Sequence, residues 1–294
     1  MEEAMWMRLG TGKEYKMQKS RISPETNLHP SSEPSTAIRH FIDIKMMLST
    51  SILLSFLLAS GLVAGHGAVT SYIIGGKTYP GYDGLNTTTN PAPTIQFPWA
   101  NYYPTLSIDD IKIRCNTGSP SAPPPELLSA PVRAGDNITA VWKQWTHQQG
   151  PVMVWMYPCG GGDSCTGDAK AWFKIDQMGL FRGDEGLNSN NWGTALVNKN
   201  LEWSSVIPRN LAPGRYLVRH ELLSLHQKKV SQFYAECAQL EVAGDGDAVP
   251  PAEFLYPIPG YAPQSDPGVT VDIFTDKSTT YTCPGGPVWD GFTF

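Results

Sequence analysis

From residue 66 to the end of the chain, apolar and polar side chains alternate with a period of two over short runs, which Gly, Pro, Asn and Asp residues interrupt. A period of two puts successive side chains on opposite faces of the backbone, the pattern of a half-buried β-strand. Apart from a short candidate at 124–128, no stretch shows a capped helical period. The predicted strands are 68–74, 111–115, 138–142, 152–157, 172–175, 203–207, 214–223, 232–242 and 269–274.

Many short strands separated by turn residues predict an all-β fold. The expected architecture is an antiparallel β-sandwich of immunoglobulin or fibronectin III type, with few short helices. Two long irregular segments, 75–107 and 244–264, are expected to form surface loops. Binding residues tend to collect in such loops, so we expect part of the functional site there.

An apolar stretch at 46–65 follows Lys45 and ends in small residues, which is typical of a secretory signal cut after Gly65. The stretch is short and serine-rich for a membrane span. Residues 1–45 are polar, and we expect them to form no fold. They are either a disordered extension or a gene-model artefact. We therefore expect a secreted protein that begins at His66. The alternative is an uncleaved anchor, in which case residue 66 has no free amine.

The segment 66–294 is expected to form one domain of 229 residues, with no internal repeat and no appended carbohydrate-binding module. Residues 1–65 hold seven of the 22 basic and six of the 27 acidic residues, which leaves 15 basic against 21 acidic ones. A negative charge of this size argues against nucleic acid or an anionic membrane as a partner.

All five cysteines lie beyond residue 65, and an exported chain would carry them into an oxidising compartment. Because their number is odd, at least one is left out of any intramolecular pairing. Two Asn-x-Thr triplets, at Asn86 and Asn137, are candidate N-glycosylation sites.

An N-terminal histidine would offer two metal-binding nitrogens, the amine and the imidazole ring. The amine has an ordinary pKa of about 8, so a metal displaces its proton readily. His147, beside the Gly150-Pro151 turn, could add a second imidazole to the amine and ring of His66. A flat site of three nitrogens favours Cu(II). The alternative for His147 is a solvent-exposed turn residue.

A second cluster is expected on the paired strands 214–223 and 232–242. Gln232 and Tyr234 are two residues apart and therefore share a face, on which His220 from the neighbouring strand could converge. The alternative is an ordinary buried tyrosine with a hydrogen-bonded hydroxyl group.

Together these segments resemble a known family. In this order they are similar to motifs of the fungal lytic polysaccharide monooxygenases of auxiliary activity family nine, formerly family 61 glycoside hydrolases, over the whole chain after residue 65. The segments are His66-Gly67-Ala68-Val69, His147 with Gly150-Pro151-Val152, Trp172-Phe173-Lys174-Ile175, Arg219-His220-Glu221-Leu222 with Leu225-His226, Gln232-Phe233-Tyr234 with Cys237-Ala238-Gln239-Leu240, and Asp266-Pro267-Gly268.

The resemblance implies that His66, through amine and ring, and His147 bind one copper ion, with Tyr234 axial to it. It implies that His220 and Gln232 donate hydrogen bonds to an oxygen species at the metal. His226 is interpreted as structural. The resemblance also implies a Cys115–Cys237 disulfide. Proximity in the sequence suggests Cys159–Cys165, which leaves Cys283 unpaired.

The activity implied is oxidative cleavage of β-1,4-glucan, such as cellulose, at C1 or C4. It would use hydrogen peroxide or dioxygen and an external electron donor, with copper cycling between Cu(II) and Cu(I). We expect a monomer that presents the copper on a flat face. Aromatic rings on that face would stack on sugar rings, and the candidates are Tyr261, Tyr82 and Tyr79.

Two features depart from the family pattern. His147 is separated from Gly150-Pro151 by two residues where the family more usually has one, and the loop between His220 and Gln232 is short. Both changes would alter the rim of the site.

Two other functions are considered. A hydrolase would need a pair of carboxylates, for which Glu221 and Asp176 are the candidates. A non-catalytic secreted protein that binds copper or carbohydrate would not need the cluster around Tyr234.

Overall fold

The structure is a computed structural model, and it describes residues 66–82, 93–99, 101–116, 127–160 and 165–292. The candidate helix at 124–128 and the sequon at Asn86 therefore lie wholly or largely outside the described residues. Within these ranges, no helix is both long enough and apolar enough to cross a lipid bilayer.

In the described residues, nine strands form two sheets, and seven of these strands correspond to predicted ones. The four-stranded sheet has the order β2-β1-β4-β7, and the five-stranded sheet has the order β3-β9-β8-β5-β6. All pairings are antiparallel except β3 with β9, which is parallel. The strands are β1 (Val69–Ile74), β2 (Lys77–Pro80), β3 (Ala130–Arg133), β4 (Asn137–Trp142), β5 (Val152–Pro158), β6 (Phe173–Met178), β7 (Glu202–Val206), β8 (Gly214–Ser224) and β9 (Gln232–Ala243).

The main core fills the space between the two sheets. Each strand turns alternate side chains inward, so Ile138, Ala140 and Trp142 of β4 face Val218 and Leu222 of β8 across this core. The β-sandwich predicted from the period of two is thus confirmed.

A second buried cluster covers the outer face of the five-stranded sheet. Trp155, Leu217 and Phe233 point to this side, where residues of the irregular segments 93–99, 101–116 and 251–273 pack onto them. Parts of both segments that were expected to form surface loops are therefore packed against the sheet, through Phe97 in one and Ile258 and Tyr261 in the other.

Two predicted strands are wrong, and capping chemistry explains both. The Asp110 side chain accepts a hydrogen bond from the Lys112 amide, which starts a short 3-10 turn at Ile111–Ile113. Asp266 caps the helix α2 (Pro267–Thr270) by accepting from the Gly268 amide, with proline at the first helical position.

Other elements were not predicted. The helix α1 (Gly193–Asn200) lacks a side-chain cap at Trp192 and has no clear apolar stripe. Strand β3 contains Pro131, which a sheet tolerates there because β3 lies at an edge.

Two disulfides confirm the predicted pairing. Cys115–Cys237 ties the loop layer to β9, and Cys159–Cys165 closes a short loop after β5. Cys283 is buried and unpaired, as expected.

Candidate metal centre

Three aromatic side chains converge at one end of the sandwich. The ring centroids of His66 and His147 are 5.7 Å apart and their planes are inclined by 65°. The Tyr234 ring lies 5.9 Å from His66 and 6.0 Å from His147, which closes a nearly equilateral triangle. The structure thus brings together the three residues that the sequence analysis assigned to one metal site.

The loop that carries His147 is fixed by helix α1. The Thr194 hydroxyl lies 2.9 Å from the Gln148 and Gly150 carbonyl oxygens, and the Asn198 amide donates to the Trp145 carbonyl at 2.7 Å. Gly150 has a φ of +138°, and a Cβ there would lie 1.8 Å from the Leu223 carbonyl oxygen. Only glycine lets this turn approach β8 so closely.

His66 is held against the same loop. The Gln144 side-chain amide donates to the His66 carbonyl oxygen at 2.5 Å. A Cβ at residue 67 would lie 1.7 Å from the Gln144 carbonyl oxygen, so Gly67 is required for the contact. The strand β1 that follows is paired with β4, which fixes the direction of approach.

Tyr234 is placed by β9 and by a packed indole. Its hydroxyl donates to Gln232 Oε1 at 2.8 Å and lies 3.4 Å from His147 Nε2. The Trp145 ring stands edge-on to both neighbours, 4.9 Å from Tyr234 and 5.2 Å from His147. Both Trp145 and Tyr234 are buried, so the geometry is rigid.

The protonation states suit metal binding. Burial, together with the neighbouring His226 and His66 rings, lowers the pKa of His147 to about 4. Burial also lowers the pKa of His66 below its ordinary value. Neutral imidazoles, the form that binds metals, therefore prevail at neutral pH. Burial raises the pKa of the Tyr234 hydroxyl, which keeps it protonated.

The donor set fits a nitrogen-bound copper ion only if His66 is N-terminal. Within the described ranges, no three His, Cys, Asp or Glu side chains are arranged to hold a metal. His66 and His147 supply two imidazoles, and a third donor is needed. The amine of an N-terminal His66 is the donor that completes the set, and nitrogen ligands of this kind favour Cu(II).

His226, which was interpreted as structural, lies in the site. Its ring stacks on that of His147 with centroids 3.9 Å apart and planes inclined by 9°. The Ser224 hydroxyl lies 2.6 Å from His226 Nδ1 and fixes the ring orientation. Because the two rings stack face to face, His226 packs against the proposed ligand His147. We therefore do not count His226 as a third ligand.

His220, which was predicted to donate to a species at the metal, is not brought to the site. Its ring is fully buried between Tyr72 and Trp142, with centroids at 5.8 and 6.2 Å. The sequence prediction placed it on the correct face of β8 but at the wrong depth. Gln232 pairs with Ser224, and four residue steps of about 3.3 Å each along β8 separate Ser224 from His220.

The aromatic side chains chosen for sugar stacking need one correction. Tyr261 is only 3% exposed, and its hydroxyl donates to Glu221 Oε1 at 3.0 Å, so it cannot meet a polymer surface. Tyr79 and Tyr82 are half-buried, and the Lys77 ammonium group lies 4.7 Å above the Tyr79 ring. The sequence reasoning missed Tyr103, which is 69% exposed and has its ring centroid 5.7 Å from His66.

The two carboxylates considered for hydrolysis are held in an ion pair and in hydrogen bonds within the fold. Glu221 is fully buried and pairs with Arg219 at 2.7 Å. Asp176 accepts hydrogen bonds from Trp203 at 2.9 Å and from Ser205 at 2.6 Å. Each carboxylate therefore has a structural role, which argues against the hydrolase.

Comparison with known proteins shows which family this chain is similar to. Residues 66–281 match the family model described as Auxiliary Activity family 9, formerly GH61. The chain is 49% identical over 247 residues to the AA9 family lytic polysaccharide monooxygenase D of Thermothelomyces thermophilus, covering 81% of this chain and 93% of that protein. It is 43% identical over 248 residues to the AA9 family lytic polysaccharide monooxygenase B of Heterobasidion irregulare, covering 83% and 100%. A crystal structure of a cellulose-active polysaccharide monooxygenase from M. thermophila superposes with a TM-score of 0.69 at 46% identity, covering 77% of this chain and 100% of that chain.

Proposed function

We propose that this chain, which belongs to Auxiliary Activity family 9 and is therefore a copper-dependent lytic polysaccharide monooxygenase, oxidises cellulose or a related β-1,4-glucan at C1 or C4. Enzymes of this family are secreted. Export would trim the chain after Gly65 and leave His66 as the first residue. We further propose that the enzyme acts as a monomer with an external electron donor, and uses hydrogen peroxide or dioxygen.

The observation that carries the proposal is the triangle of His66, His147 and Tyr234. When bound by the amine and the two imidazoles, copper supplies the one-electron chemistry between Cu(II) and Cu(I) that activates the oxidant. The Tyr234 hydroxyl, held by Gln232, would close one side of the site without ionising.

His226 and Gln232 would position the proton chemistry around the site. Ser224 engages Nδ1 of His226, which leaves Nε2 as the ring nitrogen that can give or take a proton. Gln232 accepts from Tyr234 through Oε1, so its NH₂ group is the part of the amide that can donate to a bound oxidant. This pair replaces the one predicted from the sequence, in which His220 stood in place of His226.

The substrate would lie across an exposed face beside His66. The Tyr103 ring is the exposed aromatic side chain next to the predicted ligand, and its face can stack on a pyranose ring. The M. thermophila protein is described as cellulose-active, which supports cellulose as the first substrate to test.

The first experiment examines the mature terminus. Protein secreted by a eukaryotic host is analysed by N-terminal sequencing and titrated with copper. We expect His66 at the N-terminus and one copper ion per chain. A different terminus would remove the amine from the donor set and overturn the proposal.

The second experiment separates oxidation from its alternatives. With cellulose and a reductant, the enzyme should release aldonic acids or C4-keto sugars, and no product should form without the reductant. His147→Ala should abolish turnover while cellulose binding persists. Plain reducing ends released by metal-free protein would instead indicate a hydrolase. Cellulose binding without any product would indicate a non-catalytic binding protein.

A further inference from the structure

A groove opens on the outer face of the four-stranded sheet, at the end of the sandwich away from His66. Its volume is about 360 Å³, near the lower end of the range for small-ligand sites of about 300–1,000 Å³. The sequon residues Asn137 and Thr139 both line it.

The register of the sheet explains how the groove forms. Asn137 and Thr139 are two residues apart on β4 and point outward, because Ile138 between them is buried. Ile73 of β1 lies directly opposite Thr139 and contributes an apolar floor. Thr139 is held by a hydrogen bond of 2.6 Å to the Ser204 hydroxyl.

Glycines keep the end of the groove open. Gly75 and Gly76 form the β1–β2 turn with φ of +57° and +77°, and a Cβ at either would meet no atom within 4 Å. Gly135, with φ of +91°, lines the groove from the turn between β3 and β4. A side chain at these positions would be strained, so glycine keeps this end of the groove free of side-chain atoms.

We propose that Asn137 carries an N-linked glycan and that this groove seats its first N-acetylglucosamine residue, with the sugar's apolar face on Ile73. Asn137 is exposed, so its side-chain amide is open to the added sugar. The sugar is tethered at the wall of the groove, which removes most of the entropy cost of filling it.

The modification is a group transfer. The Asn137 Nδ2 atom loses one proton and bonds to C1 of the sugar. The bond from C1 to the diphosphate of a lipid-linked oligosaccharide donor breaks, and the lipid diphosphate leaves with the bonding electrons. Host enzymes of the secretory pathway carry out this step.

The position leaves the oxidising face free. Strand β1 begins three residues after His66 and runs to Ile74, five residue steps of about 3.3 Å, or roughly 17 Å, away from Val69. A glycan at Asn137 would therefore protect the β1–β2 turn without covering the metal centre.

The test uses secreted protein in an Asn86→Gln background, so that Asn137 is the sequon under study. Glycopeptide mass spectrometry should find the glycan on Asn137 in the parent and in Thr139→Ser, which keeps the sequon, but not in Asn137→Gln. An unmodified Asn137 in the parent would overturn the proposal.

Seating is tested by trimming. One endoglycosidase treatment of the parent leaves a single N-acetylglucosamine, whereas the Asn137→Gln variant carries no sugar and keeps a neutral amide there. Amide hydrogen exchange at residues 75–77 should be at least several-fold slower in the first form, and its Tm higher by about 2–4 °C, the shift expected from one added contact in a domain of this size. Equal exchange and equal Tm in the two forms would show that the sugar does not occupy the groove. Turnover on cellulose should be the same in both forms, and loss of turnover only in the form that keeps the sugar would contradict the proposed placement.

Discussion

The imidazole rings of His147 and His226 lie face to face, 3.9 Å apart and within 9° of parallel. This contact joins a predicted copper ligand on the loop before β5 to the connection between β8 and β9. Burial is the main cause of the low pKa of His147, and this contact lowers it further, because two protonated rings so close together would repel each other.

The first prediction compares His226 with His220. His226→Ala should lower turnover on cellulose by about 10–100-fold, the usual effect of removing a partner outside the ligand set, while the Tm changes little. His220→Ala should instead lower the Tm, because emptying a buried site costs about 2–5 kcal/mol, and should preserve turnover per folded molecule.

Product analysis and calorimetry on both variants distinguish a role of His226 in turnover from a role of His220 in stability. A Cu(II) electron paramagnetic resonance spectrum unchanged by His226→Ala would show that the ligands remain in place. If His220→Ala abolished turnover in stable protein, the role assigned to His226 would be wrong.

How far the sequence could predict this site depends on strand register. Alternation alone placed Gln232, Tyr234 and His220 on one face of the sheet, which is correct. It could not fix depth, because depth depends on which residues pair. The observed pairing of Ser224 with Gln232 puts His226 beside the site and His220 deep in the core. If the strand pairing had been counted outward from the short connection between β8 and β9, the histidine next to Gln232 would have been predicted to be His226.

The long irregular segments were the hardest to predict. Without a period, the sequence does not show which aromatic side chains in them pack inward. Tyr261 is buried by Trp155 and hydrogen-bonded to Glu221, whereas Tyr103 faces solvent next to His66. Seven of the nine strands in the described residues, both disulfides and the grouping of His66, His147 and Tyr234 followed from local pattern and resemblance. The exposure of these two tyrosines depends instead on tertiary packing.

The second prediction concerns those two tyrosines. Tyr103→Ala should weaken binding to cellulose by about 2–12-fold, since an aromatic stacking contact is worth about 0.5–1.5 kcal/mol. Tyr261→Phe is the control: it removes only the buried hydrogen bond to Glu221, so binding should be unchanged while the Tm falls. Adsorption isotherms on cellulose measure the difference. Unaltered binding by Tyr103→Ala would exclude this ring from the substrate surface.

The third prediction concerns pH and the buried carboxyl group of Glu236. Burial raises its pKa from 4.5 to about 8, although hydrogen bonds from the Val69 amide and the Asn116 side chain oppose the shift. The folded state therefore binds a proton that the unfolded state releases. Stability from this group is complete below pH 4.5 and is lost as the pH rises through about 8.

Glu236→Gln should remove this dependence, because the amide resembles the protonated carboxyl group. We expect the Tm of the parent protein to fall by several degrees between pH 5 and about 8.5 relative to that of the variant. Thermal unfolding of both proteins across this range is the measurement. Parallel curves would show that Glu236 does not titrate in this window.

The last prediction concerns the two disulfides, which close loops of very different length. Cys115 and Cys237 are separated by 122 residues, and Cys159 and Cys165 by 6. In the chain-entropy account, the long loop contributes about 5 kcal/mol and the short loop about 2 kcal/mol. The Cys115→Ala/Cys237→Ala variant should therefore lose clearly more stability than Cys159→Ala/Cys165→Ala, as measured by denaturant unfolding of secreted protein. Cys237 lies on β9, three residues after Tyr234. Eleven residue pairs between β8 and β9 still hold this strand when the disulfide is removed. We therefore expect the Cys115→Ala/Cys237→Ala variant to change the free energy of copper binding far less than it lowers the free energy of unfolding. Equal losses of stability in the two variants would mean that the loop-closure term does not dominate here.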